Sequence, residues 1–306
     1  MTSIGKTFDD FILDKSVYCS PATIVKYKED CAAFFLFLEE EKLLRIQQDC
    51  FADVPEGVNV YRDYVLYLRS QKVRTVSIRS YCRSIKVFLR WCYEKDLCPD
   101  YLKGVKLPRD DARIKMPLYA SEVADIDICF GRKGYSRRDL RDYCIFHLML
   151  DCGLRRQEVV HLHVEDLIRD KNLLRIQDSK GNKSRIVLCP DFLFDSISDY
   201  MLRSDRKSGV IFTSLRGSDP ISDNTIKMMM QRLKQRSGIQ RLHAHLLRHT
   251  FATSYLIGGG NLEFLRVFLG HSDYAVTKIY SSSAAQLKML GADVYQLDPI
   301  FFERGY

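Results

Sequence analysis

Apolar positions recur along this chain at helical spacing over most of its length, and at strand spacing in one short region. Behind Ser20, an N-cap residue, and Pro21 at the first helical position, the residues Tyr27, Cys31, Phe34, Phe35 and Leu38 form one face, while Lys26, Lys28, Glu29 and Asp30 take the others. A shorter helical pattern joins Val60, Tyr61, Tyr64, Val65 and Leu68. The third pattern, over 75–93, sets Ile78, Tyr81, Cys82, Ile85, Phe88, Leu89 and Cys92 on one stripe, with Arg79, Arg83, Lys86 and Arg90 on another. Four cations on one helical face repel each other unless an anion lies against them, and a nucleic-acid backbone is such an anion.

Periodicity lapses over 103–117, in KGVKLPRDDARIKMP, and then resumes. Ser121 is read as the cap of a helix running through SEVADIDICF. The run DYCIFHLMLDCGLRRQEVVHL reads as a buried helix that breaks at Gly153 and restarts. Two strands are expected at 173–177 and 184–188, joined by a hairpin turn in which Gly181 and Asn182 sit between Lys180 and Lys183. Further helices are predicted around 192–202 and from Ser222 through NTIKMMMQRLKQRSG, with a short strand at 209–213 between them. Met228 to Met230 read as core-filling, and Lys227, Arg232, Lys234 and Arg236 as possible DNA contacts. A helix at 249–257 is stopped by Gly258, Gly259 and Gly260, and another is opened by Asn261 and closed by Gly270. A last helix is expected beyond Tyr280, followed by the apolar tail DPIFFERGY.

Composition adds the frame. The chain has 306 residues, 46% hydrophobic and 28% charged, which suits a globular protein of two domains with ordinary cores. The reading is a mainly α protein with a small β-sheet: a helical domain over 1–105, a linker over 106–117 and a second domain over 118–306. A net charge of +8 fits a polyanionic partner. Ten cysteines lie scattered without a C-x-x-C, and the opening MTSIGKTFDDFILDK has no apolar signal core, so reduced thiols in a cytoplasmic protein are expected. No apolar run approaches the ~20 residues of a bilayer span.

Candidate chemistry concentrates between His243 and Tyr280. His245, Arg248, His271 and Tyr280 supply a nucleophile, proton carriers and a cation, the set needed for attack of a tyrosine hydroxyl on a phosphodiester. With 17 tyrosines and seven histidines in the chain, any one of these residues alone reads as structural; the constellation carries the weight.

The second domain resembles the catalytic domain of tyrosine recombinases, the phage-integrase family that includes the Xer-type resolvases, and the chain as a whole resembles a two-domain, Xer-like member. GLRRQEVVHL is similar to the family's first-arginine motif, which implies Arg155 as that arginine with Glu158 as its acidic companion. SKGNKSRIVL resembles the hairpin of the catalytic lysine, Lys180; HLLRHTFAT the His-x-x-Arg motif, His245 and Arg248; LGHS the second histidine, His271; and VTKIY, nine residues on, the nucleophile Tyr280. The segment after Tyr280 differs from the usual Xer ending.

The resemblance implies a helical core-binding domain and a catalytic domain that close as a C-shaped clamp on DNA, with Arg74, Arg79, Arg83, Lys86 and Arg90 as DNA contacts. It implies strand exchange through a 3′-phosphotyrosine and a Holliday junction, without metal or cofactor. The expected partners are double-stranded DNA with inverted-repeat half-sites, a homo-tetramer that exchanges its C-terminal helix between protomers, and a second recombinase or directionality factor. Integration or excision of a mobile element, inversion and resolution all fit. Type IB topoisomerase-like relaxation uses similar residues, and a DNA-binding accessory factor without catalysis is the reading from another class. A metal-dependent nuclease would rest on the H-x-H of His161 and His163.

Overall fold

In a computed structural model of the chain, residues 2–42, 44–109, 116–131, 136–177, 184–215, 217, 219–270 and 274–303 are described. The chain divides into two compact units, residues 1–113 and 114–306.

The first unit packs four long helices: α1 (Ile4–Ser16), α2 (Pro21–Lys42), α3 (Val60–Ser70) and α4 (Thr75–Glu94). The expected stripe of α4 is its buried face, where Ile78, Cys82, Ile85, Phe88, Leu89 and Cys92 are nearly inaccessible. Aromatic edges lock the core, with Phe8 set edge-on to Phe35 at 5.0 Å and to Phe88 at 5.3 Å between centroids. Helix α1 was not anticipated, although Ile4, Phe8 and Phe11 carry its spacing; Ser3 caps it by accepting from the Lys6 amide. Asp30 departs from the expectation of an outer face. It is 1% exposed, takes an ion pair from Lys26 at 2.6 Å and accepts from the Ser84 hydroxyl of α4 at 2.5 Å. A buried carboxylate is tolerated there because both oxygens are engaged.

The second unit runs α5 (Ala120–Ile128), α6 (Arg137–Asp151), α7 (Arg156–Val160), β1 (Leu167–Ile168), β2 (Leu173–Ile176), β3 (Arg185–Leu188), α8 (Asp191–Arg203), α9 (Asp223–Ser237), α10 (Ala244–Ile257), α11 (Leu262–Leu269), α12 (Tyr274–Met289) and α13 (Ile300–Glu303). The strands form one antiparallel sheet in the order β1-β2-β3, in which Leu174 pairs with Val187. The turn expected to join β2 to β3 lies outside the described residues. Among the described residues, no helix is long and apolar enough to cross a membrane. All ten cysteines are free thiols, eight of them buried.

Several boundaries differ from expectation for local reasons. Helix α5 starts at Ala120, ahead of Ser121, because the Glu122 carboxylate accepts the Tyr119 amide at 2.9 Å and does the capping that Ser121 was expected to do. Helix α10 begins five residues before 249, and α12 contains Tyr280 instead of starting after it. Residues 209–213 form only isolated bridges, Val210 to His163 and Thr213 to Pro220, so no strand stands there. Met229 and Met230 are buried, whereas Met228 is 48% exposed. Helix α9 opens as expected at Ser222, whose hydroxyl accepts from the Thr225 amide, and Gly238 closes it in the left-handed region.

The C-terminal segment, expected to pass to a neighbouring protomer, is seated here on its own unit. Val294 bridges to Tyr119, and the Tyr295 amide donates to the Leu118 carbonyl at 3.0 Å. Phe301 stands edge-on to Phe251 at 5.5 Å and to Phe268 at 5.9 Å, and both Leu297 and Phe301 are buried. Burial of these side chains against α10 and α11 is the driving force for the fold-back.

Candidate active site

The site is built around the carboxyl end of α11. Helix α6 stops at Asp151, and Gly153 turns the chain with φ +61°; a Cβ there would come within 2.7 Å of the Phe251 ring and 3.0 Å of Leu269. Both the positive φ and the close approach call for glycine. That turn delivers Arg155 to the mouth of α7 in an extended conformation. Its own amide donates to Glu158 at 2.7 Å, its Nη1 donates to the same carboxylate at 2.9 Å, and its Nη2 donates to the Gly270 carbonyl at 3.1 Å. The Arg155 side chain is 41% exposed, while Glu158 is buried. The neighbouring Arg156 turns away to pair with Asp223 of α9 at 3.1 Å.

Arg248 lies inside α10 and is 3% exposed. Its guanidinium donates to the Gly153 carbonyl and, at 2.6 Å, to the Leu269 carbonyl. Burial first, and then the adjacent Arg155 cation, lower its pKa to about 9, which leaves it charged at neutral pH. Tyr280 of α12 is 6% exposed, with its ring 5.3 Å from that of His249. Burial raises the Tyr280 hydroxyl above the ordinary tyrosine range, and the Arg248 and Arg155 cations pull it back down. The three side chains thus share one electrostatic neighbourhood. His245, one turn before Arg248, is exposed on the rim of a cleft of about 400 Å³ lined also by Arg156, Lys227 and Lys234.

Lys180 and His271 lie outside the described residues. In the first unit Arg74, Arg79, Arg83, Lys86 and Arg90 are all exposed, and Arg79 also donates to the Pro108 carbonyl at 3.3 Å. Of the α9 cations, Arg232 is committed to Asp142 at 2.8 Å and Lys227 pairs with Asp223 at 3.2 Å. The H-x-H histidines turn to the main chain, His161 to the Gln157 carbonyl and His163 to the His161 carbonyl.

Arg185, on β3, escaped the reading of the sequence. It engages both oxygens of Glu158, at 2.7 and 2.8 Å, and the Phe268 carbonyl at 2.6 Å. Burial opposes ionisation of Glu158, but the Arg185 hydrogen bond and charge outweigh it and hold the carboxyl below its ordinary value. The only signal for Arg185 was its place in SKGNKSRIVL, where Lys180 drew the attention.

An α+β unit in which two arginines converge on one helix end, with a buried tyrosine in their field, carries the residue types of tyrosine-dependent phosphodiester chemistry. The sequence model of the phage integrase family matches residues 127–286, and the chain belongs to this family. A tyrosine recombinase of Pseudothermotoga lettingae is 30% identical over 287 residues, which cover 92% of this chain and 93% of that protein. The tyrosine recombinase XerC of Staphylococcus haemolyticus is 25% identical over 274 residues, 87% of this chain and 88% of its own. Among solved structures, the XerH site-specific recombinase bound to palindromic difH substrate, a post-cleavage complex, shares the fold with a TM-score of 0.71 at 14% identity, over 88% of this chain and 79% of that one. The Tn1549 transposon integrase in complex with a circular intermediate DNA gives 0.71 at 17% identity, over 95% of this chain and 100% of that one. The chain is a site-specific tyrosine recombinase, an enzyme of DNA recombination.

Proposed function

We propose that this recombinase cleaves one strand of duplex DNA with Tyr280, forming a 3′-phosphotyrosine and a free 5′ hydroxyl, and exchanges strands through a Holliday junction. The observation that carries the proposal is the convergence of Arg155 and Arg248 on one helix end, with Tyr280 in their field. A phosphodiester repels nucleophiles, and charge builds on its oxygens as the pentacoordinate state forms. Two guanidinium forks neutralise that charge where lysine would give only a point contact.

The Tyr280 oxygen bonds to phosphorus as the bond to the 5′ oxygen breaks. The tyrosine proton passes to His245 or His271, and Lys180 delivers a proton to the departing 5′ oxygen. Because the phosphotyrosine conserves the bond energy, religation by the incoming 5′ hydroxyl reverses these steps and needs no ATP.

In the same reading, residues 1–105 form the core-binding domain and 118–306 the catalytic domain of a clamp on inverted-repeat half-sites. The exposed basic face of α4 supports contact with the DNA backbone. A homo-tetramer on paired sites belongs to this proposal, with integration or excision of a mobile element, or inversion or resolution, as its outcome and a second recombinase or directionality factor as an added partner. The exposed apolar pair Met289 and Leu290, 88% and 79% accessible at the end of α12, supports a contact between protomers.

The test uses a nicked suicide duplex built on a half-site that the protein itself selects from a randomised duplex pool. Wild type accumulates a covalent adduct, whereas Tyr280→Phe binds the duplex with unchanged affinity and forms none. An adduct in Tyr280→Phe would overturn the assignment.

A further inference from the structure

Three consecutive carbonyls at the end of α11 each receive a different arginine. Phe268 accepts from Arg185 at 2.6 Å, Leu269 from Arg248 at 2.6 Å and Gly270 from Arg155 at 3.1 Å. The carboxyl end of a helix carries partial negative charge and unpaired carbonyls, so it is a natural seat for cations. The three arginines come from places far apart in the chain: the mouth of α7, the strand β3 and the middle of α10.

Their roles differ in what they have left to give. Arg155 keeps a side chain that is 41% exposed. Arg185 is 11% exposed, and all three nitrogens of its guanidinium are bonded inside the unit: Nη1 and Nη2 to Glu158, Nε to Phe268. Its planar fork lies against Gly270, where a Cβ would come within 3.3 Å of Nη1, and Gly270 itself has φ +63°. Arg185 therefore grips Glu158 and the end of α11 at once, and Glu158 grips Arg155 through both its amide and its guanidinium.

We propose that Arg185 is a positioning residue for strand cleavage: by clamping Glu158 bidentately against the end of α11, it holds Arg155 in one frame with Arg248 and leaves the Arg155 fork available to the scissile phosphate. The proposal rests on the function proposed above. Without Arg185, the buried Glu158 carboxylate keeps only Arg155 among these arginines as a side-chain partner and loses its anchor to the end of α11, so the frame that holds Arg155 is no longer fixed. Three guanidinium cations set against one carboxylate also leave the site with net positive charge before DNA arrives, and removing Arg185 lowers it.

The sign of the pH effect follows. Burial pushes a carboxyl pKa up, and with its main counter-charge gone Glu158 titrates at a higher pH than in wild type. Protonated Glu158 accepts fewer hydrogen bonds from Arg155, so cleavage by a variant without Arg185 falls further than that of wild type as the pH is lowered through that raised value.

The experiment measures single-turnover cleavage of the suicide duplex from about pH 8.5 to about pH 6, the span over which buried carboxyls titrate. Wild type, Arg185→Met, Arg185→Lys and the double variant Arg185→Met/Glu158→Gln are compared, with duplex affinity measured in parallel. Arg185→Met is expected to lose about 10²-fold in rate at unchanged affinity, the scale of a displaced catalytic group, and to acquire an acid limb in its rate relative to wild type. Arg185→Lys, which keeps the charge but not the fork, recovers part of the rate and loses the acid limb. The double variant also lacks the limb, since no carboxyl is left to titrate. Cleavage by Arg185→Met at the wild-type rate overturns the proposal, as does an acid limb relative to wild type that survives Glu158→Gln. If Arg185→Met does not fold, Arg185→Lys decides: a wild-type rate overturns the proposal, and a reduced rate at unchanged affinity supports it. An adduct in Tyr280→Phe would instead sink the function reading, so the two failures are distinguishable.

Discussion

His147 is held between two carboxylates, and it sets a pH dependence on the stability of the second unit. It lies in α6 with 3% exposure; its Nδ1 is 2.7 Å from Asp151 and its Nε2 is 3.0 Å from Asp127. The Tyr143 ring is 4.2 Å away, and the other oxygen of Asp151 accepts the Tyr295 hydroxyl at 2.8 Å, which ties the C-terminal segment to the same cluster. Burial works against the imidazolium, but the two carboxylates outweigh it and raise the pKa from 6.5 to about 9. A folded-state value above the unfolded one stabilises the protein fully below about pH 6.5, and that stabilisation is lost as the pH rises through about 9. At ~1.4 kcal/mol per pH unit, the loss is about 3 kcal/mol. Buried thiols add a loss of the same sign above about pH 8.5, because unfolded cysteines ionise there. The comparison is therefore between wild type and His147→Gln, which share the thiols and differ in the titrating ring. Trp91 belongs to the first unit, so its fluorescence does not follow this transition. Urea unfolding read by pulse hydrogen exchange at a fixed labelling pH, on peptides from α6 and residues 293–303, does. Wild type is expected to be the more stable at pH 6 and the gap to close by about 3 kcal/mol on going to pH 9.5. A gap that stays constant across that range would refute the charged-histidine account.

Two further outcomes test the packing and the charge. Phe301→Ala removes a ring buried against Phe251 and Phe268, and is expected to cost about 3–5 kcal/mol of tail docking, read as loss of hydrogen-exchange protection over residues 293–303; unchanged protection would mean the backbone bridge to Tyr119 suffices. Replacing Arg83, Lys86 and Arg90 by alanine is expected to reduce the slope of log affinity against log salt by about 2–3, at ~0.9 per phosphate contact, with the melting temperature unchanged because all three are exposed; an unchanged slope would remove α4 from the DNA interface.

What the sequence determined by itself is what depends on near neighbours. The buried and basic faces of α4 follow from residues three and four apart, the start of α9 from the capping side chain of Ser222, and the ends of α11 from Asn261 and the left-handed Gly270. Arg155, Arg248 and Tyr280 were singled out in short strings that resemble motifs of the family. Weakly local features were misread: residues 209–213 have strand composition but no neighbouring strand to pair with, and Ser121 looks like a cap until Glu122 takes the role. Tertiary structure alone decided the contacts that organise the site. Arg185 meets Glu158 across 27 residues and Phe268 across 83, and Tyr295 reaches Asp151 across 144. No period or spacing records such pairs. Each depends on which helix end or buried carboxylate packing brings within hydrogen-bond distance, and a buried charge is stable only where that packing also supplies its partner.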